Sequence, residues 1–190
     1  MTDHTWGYNY ALAAAELLRE ELLPYCDRIE IGGSVRRKLR IVGDVELVCV
    51  PKEGETVMAT DQLDEHLQEL IANGRLDYRP NTLGRRQYGP QNKLLVDCWN
   101  RGLPIDIFTA DERNWGMFLL VRTGSKVFNM KVMGELKRRG YAGHAYPKYL
   151  GEGKWQGGIT APDGTEILCP TEKTVFDVLG WEYKEPEERI

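Results

Sequence analysis

Asp44 and Glu46 stand two residues apart in GDVELVCVP, and Asp106 stands in PIDIF. Both segments are apolar runs that read as β-strands. Side chains alternate along a strand, so Asp44 and Glu46 share one face while Val45, Leu47 and Cys49 take the other. Asp106 likewise opposes Ile105 and Ile107. Ionised groups are costly to bury unless a cation or hydrogen bonds compensate them. If the two strands are neighbours, three carboxylates converge. Oxygen ligands of that kind suit Mg²⁺, which takes one or two carboxylates together with substrate phosphates. Two such ions, about 4 Å apart, can activate an attacking hydroxyl and stabilise a leaving oxygen.

A second group precedes the first acid pair. IGGSVRRKLR joins a glycine turn, Ser34 and a basic cluster. Gly33 lets backbone approach a phosphate closely, Ser34 can donate a hydrogen bond, and Arg36 or Arg37 can neutralise a triphosphate with fork geometry. Alone, an acid-x-acid pair is the wet face of a half-exposed strand, and a glycine turn before arginines is common. In combination with a later lone Asp, they point to phosphate chemistry assisted by divalent metal.

The elements that must carry these groups are readable. YNYALAAAELLREELLPY places Leu12, Ala15, Leu18 and Leu22 at helical spacing before Pro24. DRIEIGG is a short strand, and GDVELVCVP is a strand stopped by Pro51 and a KEGE turn. TDQLDEHLQELIANG is a helix with Leu63, Leu67, Leu70 and Ile71 as its stripe and Gly74 as its stop. KLLVDCW and LPIDIFTA are strands joined by an NRG turn. Beyond residue 110 the character turns helical, in DERNWGMFLLV, in SKVFNMKVMGELKRRG with Ser125 as N-cap, and in TEKTVFDVLG with Thr171 as cap and Gly180 as stop. A Gly-, Pro- and Tyr-rich stretch between Gly140 and Thr171 reads as a hairpin with loops. The expectation is an α+β chain of two domains, 1–112 with a mixed sheet and flanking helices, and 113–190 as a smaller α/β part.

Composition sets outer bounds. The chain has 190 residues, is 42% hydrophobic and carries a net charge of −4, so it can build a real core and is not disordered. Its charge is uneven. Residues 122–154 hold eight Lys or Arg against two acids, and residues 28–40 hold five against one, whereas residues 163–190 hold three against eight. A basic face on an acidic body suits a phosphate track whose binding falls steeply with salt. KRRG also suits a helix C-terminus on its own account. Cys26, Cys49, Cys98 and Cys169 form no CxxC pair and MTDHTWGYNY is not a signal peptide, so a cytosolic protein with reduced thiols is expected. No apolar run approaches the roughly 18 residues a spanning helix needs. His4, His66 and His144 are scattered, and Trp115, Trp155 and Trp181 read as core or hairpin residues.

The pattern resembles the family X DNA polymerases. The pieces that carry the resemblance are GGSVRR, GDVEL, PIDIF, RTGSKVFN and the C-terminal TEKTVFDVLGWEYKEPEER, in that order, over roughly Tyr8 to the C-terminus. The resemblance implies a nucleotidyltransferase palm and a C-terminal thumb. It implies that Asp44, Glu46 and Asp106 hold two Mg²⁺ ions, with Mn²⁺ as an alternative, and that Gly33, Ser34 and Arg37 bind the triphosphate. Arg122, Thr123 and Gly124 would lie along the nucleotide, Asn129 would reach the base, and Lys131, Lys137, Arg138 and Arg139 would face DNA. The partners implied are gapped or primer-template DNA and a deoxynucleoside triphosphate, with the chain a monomer. Four departures stand out. Glu46 replaces an Asp, Val121 and Arg122 replace two aromatics, and Pro104 stands where larger members carry an arginine. The resemblance also begins at the palm, so deoxyribose-phosphate lyase activity is not expected. The alternatives are nucleotidyl transfer to RNA, a small molecule or a protein, and a non-catalytic nucleic-acid-binding protein.

Overall fold

The computed structural model describes residues 5–52, 62–146, 148–151 and 154–190. Residues 53–55 of the turn expected at KEGE, His4, and Thr60 and Asp61 at the start of the second helix lie outside the described residues, as does the side chain of Trp155. The chain divides into two compact units, Met1–Thr109 and Ala110–Ile190. No helix among the described residues is long and apolar enough to cross a membrane.

The first unit is built on a five-stranded sheet. In chain order its elements are β1 (Trp6–Gly7), α1 (Tyr8–Leu22), β2 (Cys26–Ile31), α2 (Gly33–Arg36), β3 (Ile41–Val42), β4 (Val45–Pro51), α3 (Gln62–Ala72), β5 (Leu76–Tyr78), β6 (Asn92–Asp97) and β7 (Leu103–Thr109). The sheet order is β2-β4-β7-β6-β5. β4 and β7 run parallel and the other pairs are antiparallel, so the sheet is mixed, as the segment order predicts. β1 and β3 form a separate ribbon.

The helical stripes become the core. Ala11, Ala15, Leu18 and Leu22 of α1 and Leu63, Leu67 and Leu70 of α3 pack with Val45, Leu47, Cys49, Leu95, Ile105 and Ile107. Those sheet residues are the odd-numbered positions of β4, β6 and β7, so one sheet face is dry and the even-numbered acids are pushed to the other. A buried lysine sits within this unit. Lys93 Nζ donates to the Gly89 carbonyl at 3.0 Å and pairs with Asp64 at 3.5 Å, and Tyr88 Oη donates to the same Asp64 at 2.9 Å. The β6–β7 turn is pinned by buried Asp97, whose Oδ1 accepts from the amides of Trp99 and Asn100 at 3.0 and 3.1 Å. That turn sets the β6–β7 register and thereby the residue that faces Asp106.

The second unit holds α4 (Trp115–Thr123), α5 (Lys126–Arg138) and α6 (Glu172–Leu179). Its short strands β8 (Ala142–Gly143), β9 (Tyr149–Gly151), β10 (Lys154–Trp155), β11 (Ile159–Thr160) and β12 (Glu166–Ile167) form a β9–β10 hairpin and a β12-β11-β8 sheet. Residues 112–114 of the expected first helix form a 3₁₀ turn, and α4 proper begins at Trp115. Ser125 caps α5 as expected, its Oγ accepting from Phe128 N at 3.0 Å. Thr171 makes no such cap bond, its hydroxyl instead meeting Thr174 Oγ1 at 3.3 Å. The core of this unit is Met117, Leu120, Phe128, Val132, Leu136, Ile159, Cys169, Val175, Phe176 and Leu179.

The thiols give a direct test of both cores. Cys26, Cys49 and Cys169 are buried and Cys98 is exposed. Burial pushes the Cys169 thiol up to about 12, which removes the reactive thiolate. A thiol-colouring reagent at pH 8 is therefore expected to titrate one fast cysteine in the native protein and four in guanidinium. Two or more fast thiols would contradict the packing of at least one core.

Candidate active site

The carboxylates lie on one cross-strand row. Glu46 of β4 pairs with Asp106 of β7, and Asp106 pairs on its other side with Leu94 of β6. The Arg79 amide donates to the Leu94 carbonyl at 3.0 Å, which continues the β5–β6 pairing one residue past Tyr78 and Leu95. The Gly32 amide donates to the Glu46 carbonyl at 2.7 Å. Registered partners point to the same face, so Gly32, Glu46, Asp106, Leu94 and Arg79 form a row across the sheet. Asp44 stands just before β4, two residues ahead of Glu46, where the charge of Arg79 acts on it.

Each acid has a distinct environment. The Arg79 guanidinium donates to Asp106 Oδ1, and its Nε donates to the Leu95 carbonyl at 3.3 Å. Burial raises the pKa of Asp44, and the positive charge of Arg79 opposes that rise. Glu46 folds back on the glycine turn. Gly33 has φ +59°, and a Cβ there would stand 2.7 Å from Glu46 Oε2. Burial lowers the Arg37 pKa, while the negative charge of Glu46 acts to raise it, so the guanidinium faces that carboxylate. Ser34 Oγ is buried and has no hydrogen-bond partner.

The backbone register anticipated from sequence is present, but the side chains do not converge. Among the described residues no group of three His, Cys, Asp or Glu is placed to hold a metal ion. The physical reason lies in the row, where Asp106 is engaged by Arg79 and the longer Glu46 side chain reaches the Gly33–Arg37 turn. The donor chemistry still fits a hard divalent cation. It is all oxygen, it sits on the half-buried face, and Asp44 carries a burial penalty that a cation would relieve.

Gly33→Ala tests the turn. A non-glycine residue in the left-handed region costs about 1–2 kcal/mol, and here the added carbon also displaces the Glu46 carboxylate. Thermal unfolding should fall by several degrees. An unchanged midpoint would mean that the turn is not held in this conformation.

In the second unit the α4–α5 turn gathers the remaining predicted residues. Thr123 is buried at the end of α4, and the Gly124 amide donates to the Leu120 carbonyl at 2.7 Å. Asn129 is turned inward. Its Nδ2 donates to the Val121 carbonyl at 2.6 Å, and its Oδ1, buried without a partner, occupies the space that a Cβ on Gly124 would need. It braces the turn in this state. The Arg122 guanidinium lies 5.4 Å over the Phe118 ring and donates to Tyr146 Oη at 3.4 Å. Tyr146 meets Phe118 edge-on at 4.8 Å.

The basic face is less available than its charge count implies. Arg138 and Arg139 both donate to Glu135, at 2.6 Å, and their hydrogen bonds hold the Glu135 carboxyl down at about 2. The exposed Lys131 lies 5.5 Å over the Trp181 ring. Lys137 is exposed.

The family described as DNA polymerase beta thumb matches residues 118–190. Over 162 residues the chain is 27% identical to the DNA polymerase lambda of Rattus norvegicus, covering 83% of this chain and 28% of that protein. In sequence the chain is similar to the family X DNA polymerases. The fold agrees. A ternary P/T complex of Leishmania infantum polymerase beta superposes with TM-score 0.72 at 24% identity, over 99% of this chain and 77% of that one. A ternary gap complex of the same polymerase gives TM-score 0.74 at 22% identity, over 98% and 71%. The polymerase beta-like α+β fold is thus shared throughout the chain.

Three residues that hold these arrangements together are not legible in the sequence. Arg79 lies in DYRPNTLGRRQYGP, which has neither strand nor helix periodicity. Asp97 reads as an ordinary strand-end acid, although a short polar residue before a turn is a recognised turn signal. Tyr146 falls in the Gly-, Pro- and Tyr-rich stretch, where no spacing marks a partner for Arg122.

Proposed function

We propose that this chain is a metal-dependent DNA nucleotidyltransferase that adds deoxynucleotides to a DNA 3′ end, filling short gaps. The observation that carries the reading is the registered Glu46–Asp106 pair beside a turn that holds a buried, unpartnered Ser34 hydroxyl and a cationic Arg37. The likeness in sequence to a DNA polymerase supports it as well. The chain spans about a quarter of that relative's length, so the activity is proposed for this chain on its own residues.

The chemistry follows from the row. Divalent ions, when bound at Asp44, Glu46 and Asp106, supply positive charge to the attacking primer oxygen and to the departing pyrophosphate. Asp106 accepts the proton of the primer 3′ hydroxyl, and the oxygen attacks the α-phosphorus in line. Ser34 donates to a triphosphate oxygen, which would satisfy its hydroxyl. Arg37 neutralises the phosphates, and Gly33 leaves room for them. In the second unit Arg122, Thr123 and Gly124 serve the nucleotide, and Lys131 and Lys137 serve the DNA backbone.

The test is incorporation opposite each of the four template bases at a one-nucleotide gap. Selection of the complementary nucleotide is expected. A second reading, transfer to a small molecule, RNA or a protein, draws on the pairing of Arg138 and Arg139 with Glu135, which weakens a DNA track. Incorporation indifferent to the template would favour it.

A further inference from the structure

We propose that Arg79 is a resident counter-cation of the carboxylate row and competes with divalent metal for Asp106. The inference rests on the reading of that row as a metal site. Arg79 starts on the far side of β6 from Asp106. Its amide is fixed to the Leu94 carbonyl at 3.0 Å and its Nε to the Leu95 carbonyl at 3.3 Å. From there the guanidinium crosses β6 and ends on Asp106 Oδ1. Two strand spacings, roughly 10 Å, separate the backbones, so only a long side chain closes the gap. The side chains of the pair are 29% and 13% exposed, so solvent screens the attraction weakly. The same positive charge acts on Asp44.

This arrangement accounts for two observations together. It gives the acids a compensating charge on a face that would otherwise bury them at a cost. It also accounts for the part of Asp106 in the failure of the carboxylates to converge, because the oxygen that would ligate a metal already accepts from a guanidinium. Arginine cannot lose its proton to leave. The pair therefore opens only by rotation of the side chain, and metal loading at Asp106 must displace it.

The experiment is Mn²⁺ binding to the full chain without nucleotide, read by electron paramagnetic resonance of the free ion. Arg79→Gln should bind Mn²⁺ roughly fivefold tighter than the original protein, on the scale of a partly shielded ion pair. Arg79→Lys, which keeps the charge, should stay nearer the original affinity. In chelator, Arg79→Gln should melt at a lower temperature than the original protein, and saturating Mn²⁺ should narrow that gap, which a purely structural residue would not do. Arg79→Met replaces Arg79→Gln if the latter does not fold. Unchanged or weaker Mn²⁺ affinity in these neutral variants overturns the proposal. Asp106→Asn separates the two layers of the argument. If it weakens Mn²⁺ binding while the neutral variants match the original protein, only the role of Arg79 falls. If it binds Mn²⁺ as tightly as the original protein, the metal reading of the row falls with it.

Discussion

Asp106→Asn should slow nucleotide addition by roughly 10²–10⁴-fold, the range for loss of a positioned proton acceptor. That corresponds to about 3–5 kcal/mol of transition-state stabilisation. The substitution keeps the volume of the side chain and its place in the row beside Glu46 and Leu94. It removes the negative charge and the capacity to take the proton of the primer hydroxyl. Triphosphate affinity should change only a few-fold, because Ser34 and Arg37 do not depend on Asp106 for their position. Single-turnover incorporation and equilibrium triphosphate binding, measured on the same preparation, separate these quantities. Equal losses in both would indicate a collapsed site rather than a missing acceptor. A rate within a few-fold of the original would remove Asp106 from the chemistry.

The second large effect concerns stability. Arg189 and Glu172 form a buried ion pair, with side-chain exposures of 0% and 6%. Arg189 Nη1 donates to Glu172 Oε1 at 2.5 Å, and Nη2 donates to Oε2 at 3.2 Å and to Tyr183 Oη at 3.1 Å. Its Nε donates to the Lys184 carbonyl at 3.0 Å. The guanidinium also lies 5.4 to 5.9 Å from the rings of Phe128, Phe176 and Tyr183. Arg189→Met leaves Glu172 buried without its charge partner, and breaking such a pair costs about 3–5 kcal/mol. The loss extends to the α4–α5 turn, because the Arg189 carbonyl accepts from the Ser125 amide at 3.3 Å. Denaturant unfolding of Arg189→Met, of Glu172→Gln and of the double variant checks this. The double variant should be less destabilised than the sum of the two singles. Strict additivity would mean that the pair does not couple.

What the sequence made legible follows from range. α1 and α3 were readable because their stripes recur at i+3 and i+4, and β4 and β7 because their acids alternate with Val, Leu and Ile. The expectation that Asp44 and Glu46 share a face rests on local alternation alone, and β4 begins only at Val45. The pairing of Glu46 with Asp106 needed the additional assumption that β4 and β7 are neighbours, and the register bears it out. Side-chain partners were the part that could not be read. Arg79 is 27 residues from Asp106, and nothing periodic connects them. Pro104 stands where larger members of the resembled family carry an arginine, yet the Arg79 guanidinium reaches Asp106 from just beyond β5. Asn129 bonds a carbonyl eight residues back, which depends on how α4 and α5 meet. Arg138, Arg139 and Glu135 are a different case. Their i+3 and i+4 spacing was visible, but a charge count treats every cation as available to DNA.

The most direct measurement of the central claim is extension of a labelled primer across a one-nucleotide gap by the full chain, with Mg²⁺, with Mn²⁺ and with chelator. The account predicts addition of one complementary nucleotide with either metal, none in chelator, and restoration when metal is returned. Triphosphate binding without extension under both metals, or extension that persists in chelator, would contradict it.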